Sequence, residues 1–151
     1  MKVPENNQYV LFGGSFVLAN KMQLVADRTV TGLSTKQWFL LRSLFDMPEE
    51  PAPTITSLAK ETDTSRQNVT KMLEVLQRQG CVTLGDNPHD HRSRTIEMTD
   101  HGLRLLGTMA KQSEGFFKDL FSGISDEQCA VAAQVAIKMI ENLSRMQEDL
   151  V

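Results

Sequence analysis

The chain has 151 residues, 40% of them hydrophobic and 23% charged, and carries a formal net charge of −3. That balance is ordinary for a folded globular chain and excludes a disordered polyelectrolyte, while the length bounds the molecule to one domain, or to two lobes sharing a core. Net acidity does not advertise a nucleic-acid binder, so any such function has to rest on how the charges are distributed.

In chain order, residues from about 5 to 29 read as a helix whose first half is apolar nearly all round: Tyr9, Val10, Leu11, Phe12, Phe16, Val17, Leu18 and Ala19. Such a helix has no face to give to water, and in a small chain a second subunit is the simplest cover. Gly13 and Gly14 each cost about 1 kcal/mol against alanine in a helix and suggest close backbone approach or a bend, the alternative being a frayed start. The run from Tyr9 to Ala19 is too short to span a bilayer. With Lys2 ahead of it, it has the outline of a signal peptide, but the polar Glu5-Asn6-Asn7-Gln8 and the lack of a small-residue cleavage pattern argue against one. No membrane partner is expected.

Ser34-Thr35-Lys36-Gln37 is a capping box that opens a helix running to about Phe45, with Trp38, Leu41 and Leu44 or Phe45 inward. Pro48, Pro51 and Pro53 around Glu49-Glu50 make a stiff, exposed connection. Ile55, Leu58 and Ala59 mark a short helix from about 54 to 61, and the turn Thr62-Asp63 leads into a second helix, the arrangement of a helix-turn-helix.

That second helix is the stretch around which the chain is organised. Thr64-Ser65-Arg66-Gln67 reads as its capping box, with the Thr64 hydroxyl accepting from the Gln67 amide. Val69, Met72, Leu73 and Leu76 form one apolar face. The opposite face carries Arg66, Gln67, Thr70 and Lys71, side chains able to reach phosphates and base edges of a duplex, and the neighbouring Ser65 and Asn68 join them as candidates. Gly80 is placed to end the helix with a positive φ. Cys81 to Leu84 then reads as a strand, Asn87-Pro88-His89-Asp90 as a turn, and Ser93 to Met98 as the return strand. From Thr64 to Arg94 there are five basic residues against three acidic ones, a local excess of two positive charges.

His89-Asp90-His91 is the one cluster that invites a metal, but three consecutive residues on a turn rarely converge on one ion and only His101 offers itself as a further ligand. No metal and no cofactor is expected. Asp90 is better read as a brace that holds the Arg92 guanidinium extended towards a phosphate or a narrow minor groove, the alternative being an ordinary solvated turn. Alternation through Ile96 and Met98 would put Arg94 on the buried face, near a tip where that face opens.

Thr99 is the expected N-cap of a long helix through about Phe121. Ser125-Asp126-Glu127-Gln128 is a third capping box, opening a last helix with Ala132, Val135, Met139, Leu143 and Met146 on one stripe. Joined by Ser122-Gly123-Ile124, the two make a helical hairpin. With the first helix they hold more apolar surface than one such chain can bury, which implies a symmetric homodimer. Cys81 and Cys129 lie far apart with no CxxC spacing, which suggests neither zinc nor a disulfide and fits a reducing cytoplasm. No nucleophile, base and orienting group recur at a plausible spacing, so an enzyme is not expected.

The order Ser65-Arg66-Gln67-Asn68-Val69-Thr70-Lys71, Leu76-Gln77-Arg78-Gln79-Gly80-Cys81-Val82, Asp90-His91-Arg92-Ser93 and Met98-Thr99-Asp100-His101-Gly102 resembles the MarR (multiple antibiotic resistance regulator) family of winged helix-turn-helix regulators, over essentially the whole chain. The resemblance implies a mainly α fold with a small β-wing, and a single chain, 1–151. Within it, residues 34–98 would form the DNA-binding lobe, and residues 5–29 and 100–149 the dimerisation lobe. It implies a ligand-responsive repressor that binds a pseudo-palindromic operator in double-stranded DNA as a homodimer. Ser65, Arg66, Gln67, Asn68, Thr70 and Lys71 would contact the DNA, with Asp90, Arg92 and Arg94 in the wing. It also implies a small-molecule effector in a cleft between the lobes, for which Phe12, Met22, Trp38, Met47, Met72 and Met109 are the candidate lining. Where the family often has a further basic residue after the first wing strand, this chain has Gly85-Asp86, which narrows the wing's role to positioning. Some relatives sense peroxides through a cysteine in the first helix; here that helix has none, and Cys81 reads as a small core residue. The alternative from another class is a winged-helix module that binds a protein partner through its acidic surface.

Overall fold

The structure, a computed structural model, describes residues 6–88, 90 and 93–149. The element order is α1 (Asn7–Thr29), α2 (Thr35–Asp46), α3 (Ile55–Glu61), α4 (Arg66–Arg78), β1 (Val82–Asp86), β2 (Arg94–Met98), α5 (Asp100–Gln112), α6 (Glu114–Leu120) and α7 (Asp126–Glu148). The chain divides into two units, Met1–Glu114 and Gly115–Val151.

In the first unit the core is built where the short helices and the two strands meet. Leu40, Leu41 and Leu44 of α2, Leu58 and Ala59 of α3, and Val69, Leu73 and Leu76 of α4 are buried together with Cys81, Val82 and Ile96. Of the predicted inward face of α2, Leu41 and Leu44 are buried and Trp38 is half-buried; Leu40 joins them, while Phe45, the alternative to Leu44, is 51% exposed with the Arg42 guanidinium 5.2 Å above its ring. α1 has no buried residue along its 23 positions. It runs unbroken through Gly13 and Gly14, and a Cβ at either would meet nothing within 4 Å, so the close approach or bend expected there is not found among the described residues of this chain.

The strands pair antiparallel from Val82 opposite Met98 to Asp86 opposite Arg94. β1 therefore includes Gly85 and Asp86, two residues beyond the strand expected from Cys81 to Leu84. A glycine fits there because a Cβ at position 85 would lie 2.9 Å from the Thr95 hydroxyl. Both Thr95 and Ile96 are buried, so β2 does not alternate. The reason is a third short pairing: Thr54 bridges to Thr95, and the Ile96 N–H donates to the Pro53 carbonyl at 2.8 Å.

The junction between wing and α5 is tight. The Thr99 hydroxyl donates to the Gly80 carbonyl at 2.6 Å and accepts from the Gly102 N–H at 3.1 Å, capping α5, while the Thr99 N–H donates to the Cys81 carbonyl at 3.0 Å. Gly102 lies so close to Cys81 that a Cβ would sit 2.3 Å from the Cys81 carbonyl oxygen. The long helix expected from Thr99 to Phe121 is instead two helices, separated at Ser113, whose N–H still bonds the Met109 carbonyl.

In the second unit α6 carries Phe116 and Phe117 in an edge-on contact, with Phe121 stacked 6.3 Å from Phe117. α7 opens with the predicted capping box between Ser125 and Gln128 and has no buried residue. No helix among the described residues is long and apolar enough to cross a membrane.

α2 has two caps. Ser34 and Gln37 form the predicted box, and the Asp27 carboxylate in the last turns of α1 accepts from the Thr35 N–H at 2.6 Å. The Thr35 side-chain hydrogen bond, then the backbone one, hold the Asp27 carboxyl below its ordinary value of 3.8, with smaller help from Gln23 and the Lys36 charge. A lowered folded-state value means stability present above the unfolded value and lost as pH falls through the folded one. The stability gap between wild type and Asp27→Asn is therefore expected to be constant above about pH 5 and to close in more acid solution, read by urea unfolding at several pH values. Gly102→Ala is expected to cost about 1–3 kcal/mol, as overpacking against backbone does, and to lower Tm by several degrees in a thermal melt.

Candidate nucleic-acid interface

The candidate residues gather on α4 because its burial stripe fixes its rotation about its own axis. With Val69, Leu73 and Leu76 buried, Gln67 and Lys71 are exposed on the opposite side, and Arg66 and Asn68 are exposed along the flanks of the buried stripe. The sequence reading placed the helix cap at Thr64. The structure places it one residue later: the Ser65 hydroxyl accepts from the Asn68 N–H at 3.2 Å, while the Thr64 hydroxyl donates to the Thr62 carbonyl at 3.1 Å. Adjacent threonine and serine both satisfy the pattern, and the turn decides between them, because Asp63 at φ 46 and the Thr64 N–H bond to the Ala59 carbonyl pull Thr64 into the turn.

Ser65 thus combines two roles. As the cap its oxygen is an acceptor within the chain, and its hydroxyl hydrogen stays available to a phosphate oxygen. Thr70 is half-buried and its hydroxyl donates back to the Arg66 carbonyl at 2.8 Å, leaving its methyl and an oxygen lone pair as contact groups. The start of α4 presents unpaired backbone N–H groups and the positive end of the helix dipole, which favour a phosphate.

The far end of α4 is locked. The Cys81 N–H bonds the Leu76 carbonyl at 2.9 Å, the Gly80 N–H bonds the Gln77 carbonyl at 2.9 Å, and Gly80 has φ 73. This pair of bonds with a left-handed glycine is the Schellman ending, and it directs the chain straight into β1. Cys81 is fully buried and burial pushes its thiol up from the ordinary value, so it is a packed core group and a poor thiolate.

In the wing, Arg94 is exposed, against the alternation argument, and its guanidinium lies 3.5 Å from the Leu84 carbonyl. Burial of Thr95 by the Thr54 segment uncouples β2 from simple alternation. Asp90 is exposed and its backbone shapes the tip: its N–H donates to the Asn87 carbonyl at 3.3 Å and its carbonyl accepts from the Ser93 N–H at 3.0 Å. The Asn87 amide adds a bond to the Ser93 hydroxyl at 2.8 Å. Arg92, with His89 and His91, lies outside the described residues, and with it the expected brace from Asp90 and the metal alternative at this turn. Among the described residues no three His, Cys, Asp or Glu side chains are grouped to hold a metal ion.

Of the candidate effector residues, Met109 is buried in the core at 3% exposure, and Trp38, Met47 and Met72 are partly buried against the same core. Met22 is half-buried on α1, and Phe12 is 61% exposed there, edge-on to Phe16 at 5.3 Å.

A capped helix with a polar outer face, preceded by a short helix and followed by a two-stranded tongue, defines a winged helix-turn-helix protein. The MarR family model matches residues 31–93, the segment from the start of α2 to the turn of the wing, short of β2. The transcriptional activatory protein BadR of Rhodopseudomonas palustris is 25% identical over 141 residues, covering 91% of this chain and 81% of the relative. Two solved structures share the fold. The S. aureus MepR–DNA complex has TM-score 0.74 at 18% identity, covering 92% of this chain and 99% of that one. The PcaV transcriptional regulator of Streptomyces coelicolor, solved with its natural ligand, has TM-score 0.73 at 17% identity, covering 84% and 89%. Over residues 31–93 the chain is similar to the MarR family, and the relatives it matches are named as transcriptional regulators.

The reassigned cap gives a direct expectation. Ser65→Ala should destabilise the protein by about 1 kcal/mol, as loss of an N-cap does, and more than Thr64→Ala, both read by urea unfolding. The reverse order would return the cap to Thr64.

Proposed function

We propose that the protein is a ligand-responsive transcriptional repressor that binds a pseudo-palindromic operator as a homodimer in the cytoplasm. The observation that carries the reading is the exposed surface of α4, where Gln67 and Lys71 stand opposite the buried stripe and Arg66 and Asn68 are exposed at its flanks. Arg66, Gln67 and Asn68 read base edges in the major groove with the Thr70 methyl beside them, Ser65 and Lys71 hold the flanking phosphates, and Arg94 and Arg92 of the wing, the latter braced by Asp90, grip the adjacent backbone.

Dimerisation is supported by the exposed apolar surface of the terminal helices. Tyr9, Phe12 and Phe16 on α1 are 71%, 61% and 62% exposed, and Val131, Ile137 and Ile140 on α7 are 60%, 57% and 63% exposed. Patches of this kind are covered in stable soluble proteins, and a second copy of the chain is the cover proposed for each. Residues 34–98 then act as the reading lobe, with 5–29 and 100–149 as the assembly lobe. The two reading helices must lie about one helical turn, about 34 Å, apart.

The effector part of the reading rests on chemistry. Met22, Trp38, Met47 and Met72 are partly buried and apolar, with Phe12 exposed on α1 and Met109 as the core floor, a lining suited to a small hydrophobic or aromatic molecule. Such a ligand lowers operator affinity only through its differential affinity for a dimer whose reading heads no longer match the groove.

Selection from a randomised duplex pool should yield an inverted repeat with half-site centres one helical turn apart. On the selected duplex, Lys71→Ala should weaken binding and lower the salt slope by about one per protomer. No enrichment of any duplex at low salt would replace this reading with the protein-binding module. Raised transcription of the genes beside the operator on deletion supports repression; lowered transcription reverses the sign.

A further inference from the structure

The bend between α1 and α2 is held by a bond that neither the core nor the DNA-facing surface requires. One oxygen of Asp27, near the end of α1, accepts twice from Thr35, the first residue of α2: from its N–H at 2.6 Å and its hydroxyl at 2.5 Å. The Ser34–Gln37 box uses separate groups, so the first amide of α2 is satisfied from the preceding helix. On the other side of the junction the Thr31 hydroxyl bonds the Gln112 side chain at 3.2 Å. Gly32, at φ +119, leaves only 3.3 Å between a Cβ and Leu105 Cδ1 of α5, so the loop cannot easily re-form elsewhere. Val30 and Leu33 anchor the same loop in the core.

We propose that Asp27 is a positioning residue which, by clamping α1 to the start of α2, sets the separation of the two reading helices in the dimer. The proposal rests on the homodimeric reading above. α2 belongs to the core that grips α4, whereas α1 belongs to the assembly surface, so the angle between them is passed to the reading heads. A helix of 23 residues is about 34 Å long, and a change of about 5° at one end moves the other by about 3 Å. That is close to one base-pair step of about 3.4 Å. Asp27 is exposed, so removing its side chain leaves the core intact and releases the angle.

The test takes the half-site selected by wild type and presents it as inverted pairs separated by spacers of varied length to the full-length protein. Asp27→Ala should lose spacing discrimination by about three- to tenfold, the range one or two hydrogen bonds supply, while affinity for a single isolated half-site stays unchanged. Asp27→Asn, which keeps the acceptor oxygen, should retain the wild-type spacing ratio, a rescue that a merely stabilising role would not require. If Asp27→Ala fails to fold, Thr35→Ala, which deletes the hydroxyl bond alone, replaces it, and a loss of about threefold, the one-bond end of that range, is expected. An unchanged spacing ratio in the folded alanine variant overturns the clamp and leaves the DNA-binding reading standing. A wild-type protein that selects no paired half-sites overturns that reading and the clamp with it.

Discussion

Everything presented to a duplex depends on how the apolar stripe of α4 is buried. Val69, Leu73 and Leu76 are each 1% exposed or less, held between the leucines of α2, Leu58 of α3 and Ile96 of β2. Burying side chains of this size is worth about 1.5–3 kcal/mol apiece, far more than any single polar contact on the exposed side. The helix therefore cannot rotate about its axis without losing several such terms, and its polar residues keep a fixed heading. Specificity in this fold begins as a packing constraint.

The same constraint fixes where the wing starts. Gly80 turns the chain out of α4, Thr99 ties the turn to α5, and Gly102 lets α5 come within contact of the Cys81 carbonyl. Three elements meet over a few residues, and small size or a special φ is needed at two of them. The terminal helices show the opposite balance. α1 and α7 are each 23 residues long and bury none of them, although their sequences are rich in large apolar side chains. Secondary structure there is specified locally, by caps and periodicity, and its cover has to come from elsewhere.

Most of the architecture was legible in the residues because its signals are local. Ser34 with Gln37 and Ser125 with Gln128 announce helix starts, Gly80 announces an end, and the spacing of Val69, Leu73 and Leu76 gives the buried face of α4. What could not be read depended on distant partners or on a choice between equals. Thr64 and Ser65 fit the cap equally well until the preceding turn is built. The Thr54–Ser57 box has a serine where the pattern asks for Glu or Gln, so its sequence does not announce a cap. The break at Ser113 has no proline at it to mark it. The exposure of Arg94 and the bond from Asp27 to Thr35 are set by neighbours outside any helical or strand period. The outward residues of α4 were recognisable because they are the complement of the apolar stripe.

The short pairing of Pro53 and Thr54 with β2 has a consequence for solubility. A two-stranded tongue offers a bare margin of backbone amides and carbonyls, a template on which another chain can add and grow into aggregates. Here part of that margin is occupied by the chain's own loop, and the occupying segment ends in Pro53, which has no N–H with which to recruit a further strand. The two-stranded tongue is thereby made a poor seed for fibrous self-association.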